Sequence, residues 1–150
     1  INGVGRHDDP TQHPSLTDEG WANALTLPRI ISLQDGLLYQ TPPAGLPEAI
    51  SASERAHGYT VLCEVPADEG STLTVSLMDS NGKAPAVAER ADGDSDSLTI
   101  IVDGSTVEVF ADGGCVAMTS RVYFDGGCSA IEAKTTGHAK IERDWHRSAS

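Results

Sequence analysis

Leu98-Thr99-Ile100-Ile101-Val102-Asp103-Gly104-Ser105-Thr106-Val107-Glu108-Val109-Phe110 is the stretch on which the fold turns. It is rich in β-branched residues, which suit a pleated and covered surface. Leu98–Val102 is almost wholly apolar, as in a strand covered on both faces. Ser105–Phe110 alternates instead: Val107 and Val109 point one way, Glu108 and Phe110 the other. A tight connection at Asp103-Gly104-Ser105 makes the two runs an antiparallel hairpin, with Gly104 supplying the positive φ that a short turn requires. One register then places Ile100 and Val109 together in the core, and a slip by one residue would expose them. Glu108 interrupts the apolar run and reads as a solvent-facing strand residue.

Working outward, the same texture repeats. Short apolar runs at Ala24–Leu27 and Ile30–Leu33 precede a hairpin turn, Gln34-Asp35-Gly36, and a returning run, Leu37–Gln40. Residues 41–56 carry Pro42, Pro43 and Pro47 and read as a loop with one helical turn. Further runs follow at Tyr59–Val65, Leu73–Met78, Ala86–Arg90, Cys115–Tyr123, Ser129–Ala133 and Ala139–Trp145, with turn signals at Asp79–Gly82, Asp92–Asp96 and Asp112–Gly114. About ten strands at a spacing near 8–12 residues predict an all-β sandwich or barrel. No amphipathic helix of three turns appears, so a βαβ fold and its nucleotide-binding switch point are unsupported. Residues 1–20 differ: polar, with Gly3, Gly5 and Pro10 as breakers, they read as an irregular segment.

Composition bounds the function. The chain has 150 residues, 39% of them hydrophobic, with 10 Lys and Arg against 22 Asp and Glu and a net charge of −12. Without clustered cations, nucleic acid and anionic membranes are not expected partners. No apolar run reaches the roughly 18 residues of a membrane-spanning helix. Ile1 rather than a methionine opens the chain, which reads as a processed or partial polypeptide. Cys63, Cys115 and Cys128 are too far apart for a zinc knuckle or a redox pair. They read as buried reduced thiols of a bacterial cytoplasmic protein, with a Cys115–Cys128 bridge open if their strands pair.

Candidate chemistry is weak throughout. Arg6-His7-Asp8-Asp9-Pro10 offers adjacent carboxylates, but neighbouring side chains of an extended chain point apart, and Asp9-Pro10 suits a turn. His7 and His13, with Asp8, match no metal-ligand spacing, while His57, His138 and His146 stand singly. Ser105, Ser120 and Ser129 lie in no nucleophile elbow, and Gly113-Gly114 lacks the Lys-Ser/Thr of a phosphate loop. The seven aromatics, Trp21, Trp145, Tyr39, Tyr59, Tyr123, Phe110 and Phe124, are scattered and read as core. The sequence therefore assigns no catalytic, cofactor-binding or metal-ligating residue.

Two stretches are more specific. Gly20-Trp21-Ala22, Leu25–Arg29, Ile30–Leu33, Gln34-Asp35-Gly36 and Leu37–Gln40 resemble the segment GWA…LTLPRELSLKDGKLYQ of glycoside hydrolase family 32, the invertases, sucrose-6-phosphate hydrolases, levanases and inulinases. Leu98–Asp103 with Gly104–Phe110, then Thr119-Ser120-Arg121-Val122-Tyr123, resembles DRSSVEIF…G…TSRIYP of the same family, with Gly104 in place of its usual Arg and Phe124 where Pro is common. The resemblance runs from about Trp21 to Trp145 and implies the all-β, two-sheet antiparallel, lectin-like C-terminal sandwich that follows a five-bladed catalytic propeller. Residues 1–20 would then be the tail of the last blade and a linker, and residues 21–150 the sandwich. Such enzymes hydrolyse β-fructofuranosidic bonds with retention, using carboxylates in WMNDPNG, RDP and EC motifs of the propeller. None of these motifs occurs here: Asp8-Asp9-Pro10 lacks the flanking Asn and the RDP arginine, and Cys63-Glu64 is reversed. The resemblance implies a non-catalytic accessory module that stabilises the propeller of a sucrose- or fructan-cleaving enzyme, with homo-oligomer contacts as a further role. The alternatives are a carbohydrate-binding module and an independent enzyme built on Arg6–His13. The propeller would also give Glu108 a second reading, as a charge at the interdomain contact.

Overall fold

The computed structural model describes residues 14–21, 23–46, 48–49, 58–64, 70–90 and 97–146. A short helix, α1 (Pro14–Glu19), precedes ten strands: β1 (Ile30–Gln34), β2 (Leu37–Thr41), β3 (Gly58–Glu64), β4 (Leu73–Asp79), β5 (Ala86–Arg90), β6 (Ser97–Asp103), β7 (Thr106–Ala111), β8 (Val116–Arg121), β9 (Cys128–Thr135) and β10 (Lys140–His146). They form a five-stranded sheet in the order β10-β3-β6-β7-β8, a three-stranded sheet in the order β5-β4-β9 and the separate hairpin β1-β2. Every pairing is antiparallel, so the all-β sandwich expected from the sequence is the observed architecture.

The β6–β7 hairpin forms as its sequence dictates. Gly104, at φ 55°, turns the chain, and Ile100 pairs with Val109 across the ladder. Leu98, Ile100 and Val102 of β6 and Val107, Val109 and Ala111 of β7 pack against Leu73, Val75 and Leu77 of β4, and this cluster is the core between the sheets. The strict alternation of burial along β4 follows from a strand with one face on that core. Fully burying each such aliphatic side chain contributes roughly 1.5–3 kcal/mol before entropy is counted.

The outer face of the five-stranded sheet is covered as well. Ile101 and Phe110 form a second cluster there, packed by Leu27, Leu46 and Ala117. This explains the unbroken apolar run of β6. It also overturns the solvent-facing reading of Glu108, which points outward as expected but is 0% exposed. The segment before β1 lies over it.

Two local readings change, and one open alternative closes. Ala24–Leu27 joins no ladder. The amide of Leu27 donates instead to Glu108 Oε1 at 2.6 Å, so a carboxylate takes the place of a partner strand. Within the polar segment read as irregular, Pro14–Glu19 is helical, with Pro14 at the first position, where its missing N–H costs nothing. Ser15 is buried and meets Tyr123 Oη at 3.3 Å. The Cys115–Cys128 bridge does not form: both thiols are free, and Cys128 begins β9 whereas Cys115 directly precedes β8 of the other sheet.

Candidate functional site

Hairpin β1–β2 leaves most of the aliphatic side chains it carries exposed. Asp35 and Gly36 both take positive φ, 50° and 81°, as the two central residues of a type I′ turn require. Leu33 pairs with Leu38 and Ile31 with Gln40, which places Ile31, Leu33 and Leu38 on one face of the ribbon. All three are exposed, Leu33 by 73%, and Ile30 and Leu37 on the other face are exposed too. Leu25, in the approach to the hairpin, is 89% exposed. Single exposed aliphatics are ordinary, whereas a contiguous set on one small element marks an interaction surface.

This apolar ribbon is held by a polar clamp. Glu108 sits midway along β7, and its Oε2 accepts from Arg29 Nη2 at 2.6 Å and Nε at 3.2 Å. Arg29 Nη2 also donates to Thr119 Oγ1 of β8 at 2.5 Å, and Nη1 donates to Gln40 Oε1 of β2 at 2.9 Å. The guanidinium lies 5.2 Å from the Phe110 ring centroid, within cation–π range. One arginine thereby joins β7, β8 and the hairpin. A second close approach lies beside it: at Gly114 (φ 100°), between β7 and β8, any Cβ would collide with the Gln40 carbonyl oxygen and the Thr41 side chain. Burial, and secondarily the charge of Glu108, raises the carboxyl of nearby Asp103 above its ordinary range.

The residues singled out from the sequence do not converge. Arg6, His7, Asp8, Asp9, Pro10, His13 and His57 lie outside the described residues. His138 is in an exposed turn, where its amide donates to Ser71 Oγ at 3.1 Å. Ser120 is exposed on β8, and Ser129 Oγ donates to the Asp79 carbonyl at 2.8 Å. No three His, Cys, Asp or Glu side chains gather as metal ligands among the described residues. Burial pushes the Cys128 thiol up to about 11, which keeps it protonated and unreactive at neutral pH.

Sugar-binding features are sparse on the described surface. Trp21 is its one exposed aromatic. Arg121 covers that ring at 4.8 Å, and the indole N–H donates to Glu19 at 2.5 Å. A cleft of about 550 Å³ opens between β5 and β8, but its walls are mainly aliphatic, with Leu77, Val87 and Met118 among them and no aromatic ring.

Residues 51–145 match the family model described as glycosyl hydrolases family 32, C-terminal. The chain belongs to that family. Solved structures with the same fold include sucrose-6-phosphate hydrolase from Lactobacillus gasseri, 17% identical with a TM-score of 0.60, covering 95% of this chain and 36% of that one. Exo-inulinase from Aspergillus awamori is 17% identical with a TM-score of 0.58, covering 84% of this chain and 35% of that one. A family 32 β-fructofuranosidase of Bombyx mori in complex with sucrose is 16% identical with a TM-score of 0.57, covering 87% of this chain and 36% of that one. This family 32 C-terminal domain thus spans about a third of the length of those enzymes. No curated protein sequence matches it.

The sequence reading missed the clamp. Arg29 and Glu108 are 79 residues apart, and no local pattern couples them. The available signal was one charge of each sign standing alone inside an apolar run.

Proposed function

We propose that this chain is the accessory sandwich of a β-fructofuranosidase acting on sucrose or fructans, and that hairpin β1–β2 docks on the catalytic propeller at the N-terminal side of the same polypeptide and stabilises it. The observation that carries this is the exposed aliphatic set Ile31, Leu33 and Leu38 on a ribbon clamped to a finished sandwich. A two-stranded ribbon is marginal in water and gains stability from a further layer. The family's match and the one-third span against enzymes named for sucrose and inulin cleavage support a catalytic domain as the occupant. Residues 1–20 belong, on this reading, to the last blade and the linker. The free thiols of Cys115 and Cys128 favour a reducing compartment. The chemistry belongs to the propeller.

Carbohydrate binding by the sandwich is the competing reading, and the scarcity of exposed aromatic rings among the described side chains, Trp21 alone, speaks against it. The rigorously purified chain is expected to release no glucose from sucrose and to give no binding heat with sucrose, inulin or levan. Turnover that survives purification and is lost on Asp8→Asn or Asp9→Asn would sink the accessory reading. Saturable heat with one of the sugars would favour a binding module instead.

A further inference from the structure

We infer that Glu108 is the positioning residue of the docking hairpin: through Arg29 it sets where β1–β2 sits on the sandwich, and so where the exposed Leu33 face points. That the face is a docking surface rests on the function proposed above, whereas the clamp stands on geometry alone. Both carboxylate oxygens of Glu108 are bonded, and every bond runs to Leu27 or Arg29, the segment leading into β1. Arg29 completes the path by reaching Gln40 on the opposite strand of the ribbon. The carboxylate is thus tied to both strands of the hairpin, to one by chain continuity and to the other through Arg29.

Stability alone does not account for a charge at this place. A buried ion pair pays desolvation on both partners, and apolar residues of similar volume commonly stabilise as well or better. Apolar contact, however, is non-directional. The guanidinium fork accepts a narrow set of geometries and fixes orientation as well as proximity. Ile101 and Phe110 on the same face would hold the segment by contact without specifying its register or tilt.

Replacing both partners separates positioning from stability. Glu108→Leu combined with Arg29→Met leaves no buried charge behind, so the sandwich should stay folded. In the 150-residue chain, backbone amide exchange at Ile30–Gln34 and Leu37–Thr41 should then speed up tenfold or more. Exchange across β4 and β9 should change less than twofold. Hairpin protection equal to the parent chain would overturn the inference. So would loss of protection everywhere, since Glu108 would then act on the whole fold. A failure of the docking reading looks different: hairpin exchange in the parent chain would be the same with and without the catalytic domain attached, while the effect of the double substitution persisted.

Discussion

Glu108→Ala is expected to destabilise the chain by about 3–5 kcal/mol in urea denaturation, the range for removing one partner of a buried pair. The substitution leaves Arg29, 13% exposed, without its counter-charge and strips the Leu27 amide of its acceptor. Thr119 and Gln40 still accept from the guanidinium, but neither carries charge. Glu108→Gln should cost less, because the amide oxygen can still accept one of the bonds. An effect of Glu108→Ala below about 1 kcal/mol, the size of an exposed pair's contribution, would mean that the carboxylate is solvated and the clamp absent.

Ile100→Ala is expected to cost about 2–5 kcal/mol by a different route. Ile100 is 0% exposed and packs in the core between the two sheets, opposite Val109 in the ladder. Truncation leaves a void that the neighbouring β-branched residues, stiff at χ1, fill poorly. Ile100→Val, which removes a single methylene, should cost only about 0.5–1.5 kcal/mol. The two sites also differ in response to a second change. Glu108→Ala should be largely relieved when Arg29 is also made apolar, whereas no polar substitution relieves Ile100→Ala. Equal costs for Ile100→Val and Ile100→Ala would contradict the core placement.

The sheets were legible because strands report themselves locally. The two-residue period of Leu73–Met78, the run at Leu98–Val102 and Gly104 in the turn each carry their own evidence, and the structure has the corresponding elements at β4, β6 and the β6–β7 connection. The covering of the outer face was not legible. It depends on where residues 24–46 fold back, a long-range event that leaves no periodicity. Glu108 was misjudged for that reason: its facing followed from the pleat, but its burial depended on a segment some 80 residues earlier. Ala24–Leu27 failed similarly, since an apolar run signals burial and not whether a ladder or a carboxylate receives its amide. The hairpin's own turn, by contrast, was written in Asp35-Gly36. What its exposed face would meet is, on the reading proposed above, another domain, and nothing in the hairpin's own residues names it.

Leu33→Asp tests the docking of this sandwich most directly, measured by thermal denaturation in two settings: the 150-residue chain and the complete polypeptide that contains it. Leu33 is 73% exposed here, so the chain alone should melt within the ±0.5 kcal/mol usual for surface changes. On the proposed reading the same aspartate would, in the complete polypeptide, be buried against a catalytic domain without a partner, and the expected result is a clear fall in melting temperature with earlier loss of the proposed sucrose-hydrolysing activity. An unchanged melting curve in both settings would contradict the docking of the hairpin on the catalytic domain.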